Sequence, residues 1–279
     1  MAEHIQDHLR LKRNLRRLTN RVNSPSGESA LPSHEGSKRA LGHRIANHVP
    51  LSHATGRATL LGALEQDRLL SSQKLEEYGL RAPATTTASI EAILETEDSV
   101  FTYAAPFRYP ETSCGFLFKT DIERARADQA VATPFDSGGT VHYLRPNDST
   151  QDQIAFVRRH ELPVPDYRVL LERFLIHCFE SPWNYVDGTD PTGAWPIPVE
   201  GDDWRRWTFE VRFRDEIHLT GSLLAVFLPV AVASEETVLR HVRRWRQNSV
   251  EVKLFRTPNT DNWQLLRDLS IKYLNDLLG

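Results

Sequence analysis

The chain is poor in whatever would staple it, anchor it or bind a metal. Only two of its 279 residues are cysteine, and each stands alone in an apolar run, Cys114 in SCGFLF and Cys178 in FLIHCFE. Neither belongs to a CxxC pair or sits near a His/Cys cluster, which argues against a disulfide framework and against a structural zinc site. They read as buried free thiols in a reducing compartment, and a cytoplasmic protein is expected. No stretch reaches the roughly 18 consecutive apolar residues of a membrane span. The longest apolar run, LLAVFLPVAVA from Leu223 to Ala233, is broken by Pro229. The N-terminus, MAEHIQDHLRLKR, is charged from its third residue and lacks the apolar centre of a secretory signal. Also missing are GxxxxGK[ST], a GxGxxG after a strand, GxSxG and HExxH. P-loop ATPases, kinases, dinucleotide-binding dehydrogenases, α/β-hydrolases and zincins all lose weight.

What is present is an ordinary globular composition, 40% hydrophobic and 25% charged, long enough to bury a core unaided. The net charge of −3 hides an asymmetry. Residues 1–50 hold nine Lys/Arg against four Asp/Glu, and the rest holds 25 against 33. A basic arm therefore precedes an acidic body. In the arm, Ile5, Leu9, Leu15, Leu18 and Val22 are compatible with one helical face, with Arg10, Lys12, Arg13, Arg16, Arg17 and Arg21 around it. That helix is read either as a solvated element that packs weakly on its own body or as a recruiter of a protein, a nucleic acid or an anionic surface. Asn23 to Lys38, rich in Ser, Gly and Pro, reads as a flexible linker. The division expected is residues 1–45 as arm and linker and 46–279 as one globular domain.

Within the body, Val49 to Thr55 suggests a short strand that Pro50 would push to a sheet edge or mark as a strand start. Helices are expected over Arg57 to Leu70, Ser89 to Glu95, Tyr167 to Phe179, Ser234 to Trp245 (capped by Ser234) and Trp263 to Leu278. Ser99 to Ala104 and Cys114 to Lys119 read as strands joined by a Pro-rich turn, and Asp121 as the cap of a short helix. Trp207 to Phe213 alternates as a half-buried strand with Glu210 on its polar face. Leu223 to Leu228 and Val250 to Phe255 complete the strands, and Ser181 to Asp203 reads as irregular surface loop. Strands and helices mix without a βαβ rhythm, so the class expected is α+β.

Three segments carry candidate chemistry. Ser52-His53-Ala54-Thr55-Gly56 ends a strand and opens a helix. His53 can donate to a ribose hydroxyl or a carboxamide oxygen, and Thr55 with the helix N-terminus can help hold a phosphate. Equally, Thr55 can simply cap the helix and His53 lie at the surface. FTYAAPFRYP, residues 101–110, offers Tyr103 to stack on a flat ring and Arg108 to meet a phosphate, or else an aromatic core strand and a rigid turn. Glu210 is the lone carboxylate of WTFEVRF. Lining a cleft, it can bond a ribose hydroxyl and stabilise an oxocarbenium ion; otherwise it faces solvent. Asp136, in Pro134-Phe135-Asp136-Ser137-Gly138-Gly139, is a further polar candidate in what reads as a turn.

In this order, the His-Thr strand end, the aromatic strand followed by Arg108, the PFDSG segment and the Glu210 strand resemble the ADP-ribosyltransferase family over roughly residues 49–255. The resemblance implies a split, mixed and largely antiparallel sheet with flanking helices that clamps NAD as substrate. It further implies His53 on the adenosine ribose or nicotinamide side, Tyr103 stacked on nicotinamide, Arg108 at the pyrophosphate and Glu210 as catalytic carboxylate. A bacterial toxin or defence effector would fit such a fold. Two features depart from Arg-modifying members: Thr208 stands where they carry a second acid, and no Ser-Thr-Ser motif is present. The acceptor, protein or nucleic acid, is therefore open. The other readings are a nucleic-acid-binding or RNA-processing protein working through its basic arm, and a non-catalytic interaction module.

Overall fold

A computed structural model describes residues 2–23, 35–80, 88–109, 112–141, 145–191, 203–256 and 263–279. Ten strands occur among them: β1 (Leu51–Thr55), β2 (Arg68–Leu70), β3 (Ser99–Tyr103), β4 (Cys114–Phe118), β5 (Ala130–Thr133), β6 (Leu162–Pro163), β7 (Glu210–Arg214), β8 (Glu216–His218), β9 (Leu223–Pro229) and β10 (Glu251–Phe255). Eight form one sheet in the order β10-β9-β4-β1-β3-β7-β5-β6, and β2 pairs with β8 alone. Only β9 and β10 run parallel. The α+β class is as the interspersed pattern implied.

The sheet parts at its middle. β1 follows β4 along its whole length, from Leu51↔Phe118 to Thr55↔Cys114, and β3 follows β7 from Ser99↔Arg214 to Tyr103↔Glu210. β1 and β3 meet only at Ser52↔Tyr103. Where ladder bonds are missing, side chains of β1 replace them. Ser52 Oγ donates to the Tyr103 carbonyl at 3.2 Å, and His53 Nδ1 lies 2.9 Å from the Phe101 carbonyl. A mixed sheet split into two halves is thus observed.

Several expectations are corrected. Of its two expected positions Pro50 takes the strand start and not the edge, because it immediately precedes β1 and removes no ladder donor. β1 sits in the sheet's centre, and it also lies between β3 and β4, which are therefore not a hairpin. The helix from Arg57 stops at Gln66, since Asp67 is left-handed (φ 54°), and the chain continues as β2. Thr120 rather than Asp121 precedes the short helix Asp121–Ala125. Ser234 closes the turn Val230–Ala233 by bonding the Val230 carbonyl, so the next helix starts at Glu236. Trp183–Asp187 is helical within the expected loop, of which residues 192–202 lie outside the described set. From Glu210 to Phe213, β7 is buried on both faces, not half-buried, because the loop after β5 covers its polar side.

The arm also differs from expectation. α1 (Ala2–Asn23) buries Leu18 and Val22 completely or nearly so in the main core, while Ile5 and Leu9 stay 57% and 58% exposed. The six-residue step from Leu9 to Leu15 turns a helix through about 600°, which takes the later leucines off the line of the earlier pair. Arg10 pairs with Glu161, and Asn14 donates to the Glu161 carbonyl at 3.0 Å. The C-terminal half of the arm is therefore packed as part of the body. Of the expected linker, residues 24–34 lie outside the described set, and Glu35–Lys38 open α2 (Glu35–His48). α2 adds Ile45 and Ala46 to the same core. Leu18→Ala is expected to lower the unfolding free energy by about 2–5 kcal/mol, the range for a truncated buried leucine, read from urea midpoints. A change under about 0.5 kcal/mol would mean that α1 does not dock. Among the described residues no helix is long and apolar enough to cross a membrane.

Candidate active site

Alternation along the strands decides which expected residues can meet. Residues paired across an antiparallel ladder share a face. Tyr103 pairs with Glu210 on one side and Ser52 on the other, and Glu210 pairs with Thr133 across β5. Ser52, Tyr103, Glu210 and Thr133 therefore form a row across the point where the sheet parts. His53 and Thr55, one residue out of phase with Ser52 and Ala54, point to the other face of β1.

Beside the split lies a narrow, closed-up notch bounded by Ser52, Ala54, Tyr103, Arg108, Tyr109 and Trp204. Its aromatic wall is built by contact: Tyr103 and Tyr109 have ring centroids 4.9 Å apart, and Tyr109 meets Trp204 edge-on at 5.2 Å. Phe107 closes its floor against β4, where Gly115 is required. A Cβ on Gly115 would come within 2.3 Å of the Phe107 ring. Gly115→Ala is accordingly expected to expel that ring and cost about 1–3 kcal/mol, measurable by thermal melting. A melting curve like the parent's would show that Phe107 has room to move.

Glu210 lies behind Tyr103, fully buried. The Ser137 hydroxyl donates to its Oε1 at 2.6 Å and the Ser137 amide to its Oε2 at 3.1 Å. Arg212 Nε stands 3.4 Å from Oε1 without forming a hydrogen bond. Burial pushes the Glu210 carboxyl up to about 7; the Arg212 guanidinium pulls it back, the Asp136 carboxylate pushes it up again, and the Ser137 bonds pull it down. Asp136 accepts from the Gly139 amide at 2.9 Å and from the Tyr109 hydroxyl. Burial raises its carboxyl as well. Burial, then the Asp136 and Glu210 carboxylates, hold the Tyr103 hydroxyl protonated.

Arg108 is 4% exposed. It donates through Nη1 to Thr208 Oγ1 at 2.9 Å and through Nη2 to the Tyr185 carbonyl, and its guanidinium carbon sits 4.5 Å from the centre of the Trp207 ring. Its buried Nε has no hydrogen-bond partner. Burial lowers its pKa to about 10, which leaves it cationic at neutral pH.

The structure brings Tyr103, Arg108, Asp136 and Glu210 together and leaves His53 and Thr55 apart. The His53 ring is engaged with the Phe101 carbonyl across the split, and burial holds its pKa below the ordinary value. Thr55 does not cap the next helix; Gly56 occupies that position, with no side-chain bond. Sequence reasoning missed Ser137 and Trp204. Ser137 was visible only as part of a Ser-Gly-Gly turn, and Trp204 stands one residue past the expected loop from Ser181 to Asp203 and three before Trp207, where the alternating strand pattern opens. Among the described residues no group of three or more His, Cys, Asp or Glu is placed to hold a metal.

No family model matches this chain, and no curated protein matches it. Solved structures that resemble it include Thermus sp. 2.9 DarT in complex with ADP-ribosylated ssDNA, at 12% identity and a TM-score of 0.40, over 74% of this chain and 94% of that one. The same protein in complex with carba-NAD+ aligns at 14% identity and a TM-score of 0.39, over 75% and 95%. Its complex with NAD+ aligns at 13% identity and 0.39, over 74% and 95%. At so loose an overlap the role of each residue rests on the site itself.

Proposed function

We propose that this protein cleaves the N-glycosidic bond of NAD and transfers the ADP-ribosyl group to an acceptor or to water. The observation that carries the reading is the placement of Tyr103, Arg108 and Glu210 around the parting of the sheet. On this reading a flat ring stacks on the aromatic wall, a pyrophosphate meets Arg108, and the buried Glu210 carboxylate reaches the ribose once Tyr103 moves off it. Arg108 supports this as a buried cation with a free Nε beside the notch. Breaking the bond sends its electron pair out with neutral nicotinamide and leaves an oxocarbenium ion. A fixed anion in a dry site stabilises that charge as it develops. The attacking group, a hydroxyl, a base nitrogen or water, adds to the ribose and loses its proton to solvent or to a nearby carboxylate.

As it stands the notch has essentially no room even for a water-sized molecule, far short of the roughly 300–1,000 Å³ of sites that hold ligands of drug size. Binding then requires Trp204 and Tyr109 to move aside, and Trp204→Ala is expected to lower KM for NAD more than it changes kcat. A KM equal to the parent's would show that Trp204 does not obstruct the site. α1 exposes Arg13, Arg16 and Arg21, a basic stripe suited to a phosphate backbone, so nucleic acid is the acceptor to test first beside protein. Because α1 is packed, the variant to use is Arg13, Arg16 and Arg21 each to Gln, not deletion of the arm.

The test is incubation of the purified chain with NAD labelled in the adenylate, alone and with single-stranded oligonucleotide or cell lysate, following nicotinamide release and the fate of the label. Release that requires Glu210 supports the reading, and the labelled product names the acceptor. A folded chain that neither turns over nor binds NAD overturns it.

A further inference from the structure

We propose that Ser137 is the positioning residue of Glu210, a clamp that fixes the plane of its carboxylate and keeps it ionisable. The assignment of Glu210 to catalysis rests on the proposed function; the clamp itself rests on geometry. Ser137 reaches both carboxylate oxygens from one residue, the hydroxyl to Oε1 and the amide to Oε2. It can do so because Asp136 caps the turn Ser137–Gly139 through the Gly139 amide, leaving the Ser137 amide free to point back at β7. Gly139 packs closely on Arg205: a Cβ there would lie 3.3 Å from Arg205 Cβ and Cδ. The turn is thus held between Glu210 and the segment bearing Trp204, to which the Asp136 amide is bonded at the Arg205 carbonyl.

No other group around Glu210 does the same work. Thr133 Oγ1 is 3.5 Å away and has the Phe135 carbonyl at 2.9 Å. Arg212 Nε is 3.4 Å away and unbonded, while its Nη2 turns 3.3 Å toward Glu161. The charged and titratable groups facing Glu210 are Tyr103 from β3, Arg212 on its own strand and Asp136 from the loop after β5, with Tyr109 behind Asp136. Among the described residues only Ser137 supplies two well-formed bonds to the anion, and bonds to an anion favour its charged form.

The consequence is directional. Ser137→Ala removes the hydroxyl donor, so the Glu210 titration midpoint rises by about one to two pH units. Asp136→Asn removes a neighbouring negative charge, so the midpoint falls. Both are read directly by carbon-13 NMR of the full chain labelled at the glutamate side-chain carboxyl, with the Glu210 signal identified as the one lost in Glu210→Gln. A pH profile of kcat/KM for NAD should show the same displacement of its acidic limb in Ser137→Ala, with activity recovering toward the parent's at high pH. Circular dichroism confirms that each variant is folded. A Glu210 signal that follows Asp136→Asn downward yet ignores Ser137→Ala overturns the clamp. If the parent proves inert toward NAD, the NMR titration still decides the role of Ser137, and only the catalytic reading falls.

Discussion

Glu210→Gln is expected to reduce NAD cleavage by at least about a hundred- to a thousandfold, the usual cost of removing a group that stabilises transition-state charge. Gln keeps the size of the side chain and an oxygen to accept from Ser137, so the loss will not reflect unfolding. Its effect on stability has the opposite sign. The ordinary carboxyl value is 4.5, and burial pushes that of folded Glu210 up to about 7. Below pH 4.5 both folded and unfolded chains carry the proton, and burial of the side chain costs nothing in charge. Between 4.5 and 7 the unfolded chain is ionised while the folded one resists, so stability drains away as pH rises. Above 7 the whole cost is present, at most about 3 kcal/mol. Glu210→Gln should therefore stabilise the chain at pH 8 and leave it nearly unchanged at pH 4.5. Urea midpoints at the two pH values check this, and equal shifts at both would show that Glu210 is not buried in charged form. For the same reason kcat/KM of the parent should fall about tenfold per unit below pH 7, since that ratio reports the free enzyme.

Arg168→Met is expected to be the most destabilising single change, by about 3–5 kcal/mol, because it strands a buried charge. Arg168 and Glu123 are 8% and 1% exposed in their side chains. Arg168 Nε donates to Glu123 Oε2 at 2.7 Å, and the Tyr167 hydroxyl donates to Oε1 at 2.9 Å. The remaining donors reach the Ala46 carbonyl and, at 3.0 Å, the Val49 carbonyl, so the guanidinium ties the exit of α2 to the start of β1. Adding Glu123→Gln to Arg168→Met should restore part of the loss, since a neutral side chain no longer needs a cation. Chemical denaturation of the single and double variants measures both effects. A double variant no more stable than the single would mean that the carbonyl contacts, not the charge, carry the cost.

Much of the architecture follows from local pattern. β3, β4, β9 and β10 and the helices Tyr167–His177 and Trp263–Leu278 lie close to where apolar periodicity and turn residues place them. β5, β6 and β8 escaped that reading, being two to four residues long and carrying too little alternation to register. Glu210 was legible as a lone carboxylate on an alternating strand, and Tyr103 and Arg108 as an aromatic-cation pair on a rigid segment. Whether the Glu210 face met solvent or interior was not legible, because alternation reports polarity and not what is packed against it.

The sequence by itself determined the class of the fold, the identity of the strand that bears Glu210 and the basic character of the arm, all properties of neighbours along the chain. The tertiary structure alone decided the rest. Strand order placed β1 against β3 at a single pair and opened the sheet beside Tyr103. The out-of-phase position of His53 turned it away from the notch and toward the Phe101 carbonyl. The loop after β5 brought Ser137 from 73 positions away in the chain onto Glu210. Contacts of that range depend on which strands become neighbours, and a strand's own side-chain pattern carries no record of its partner.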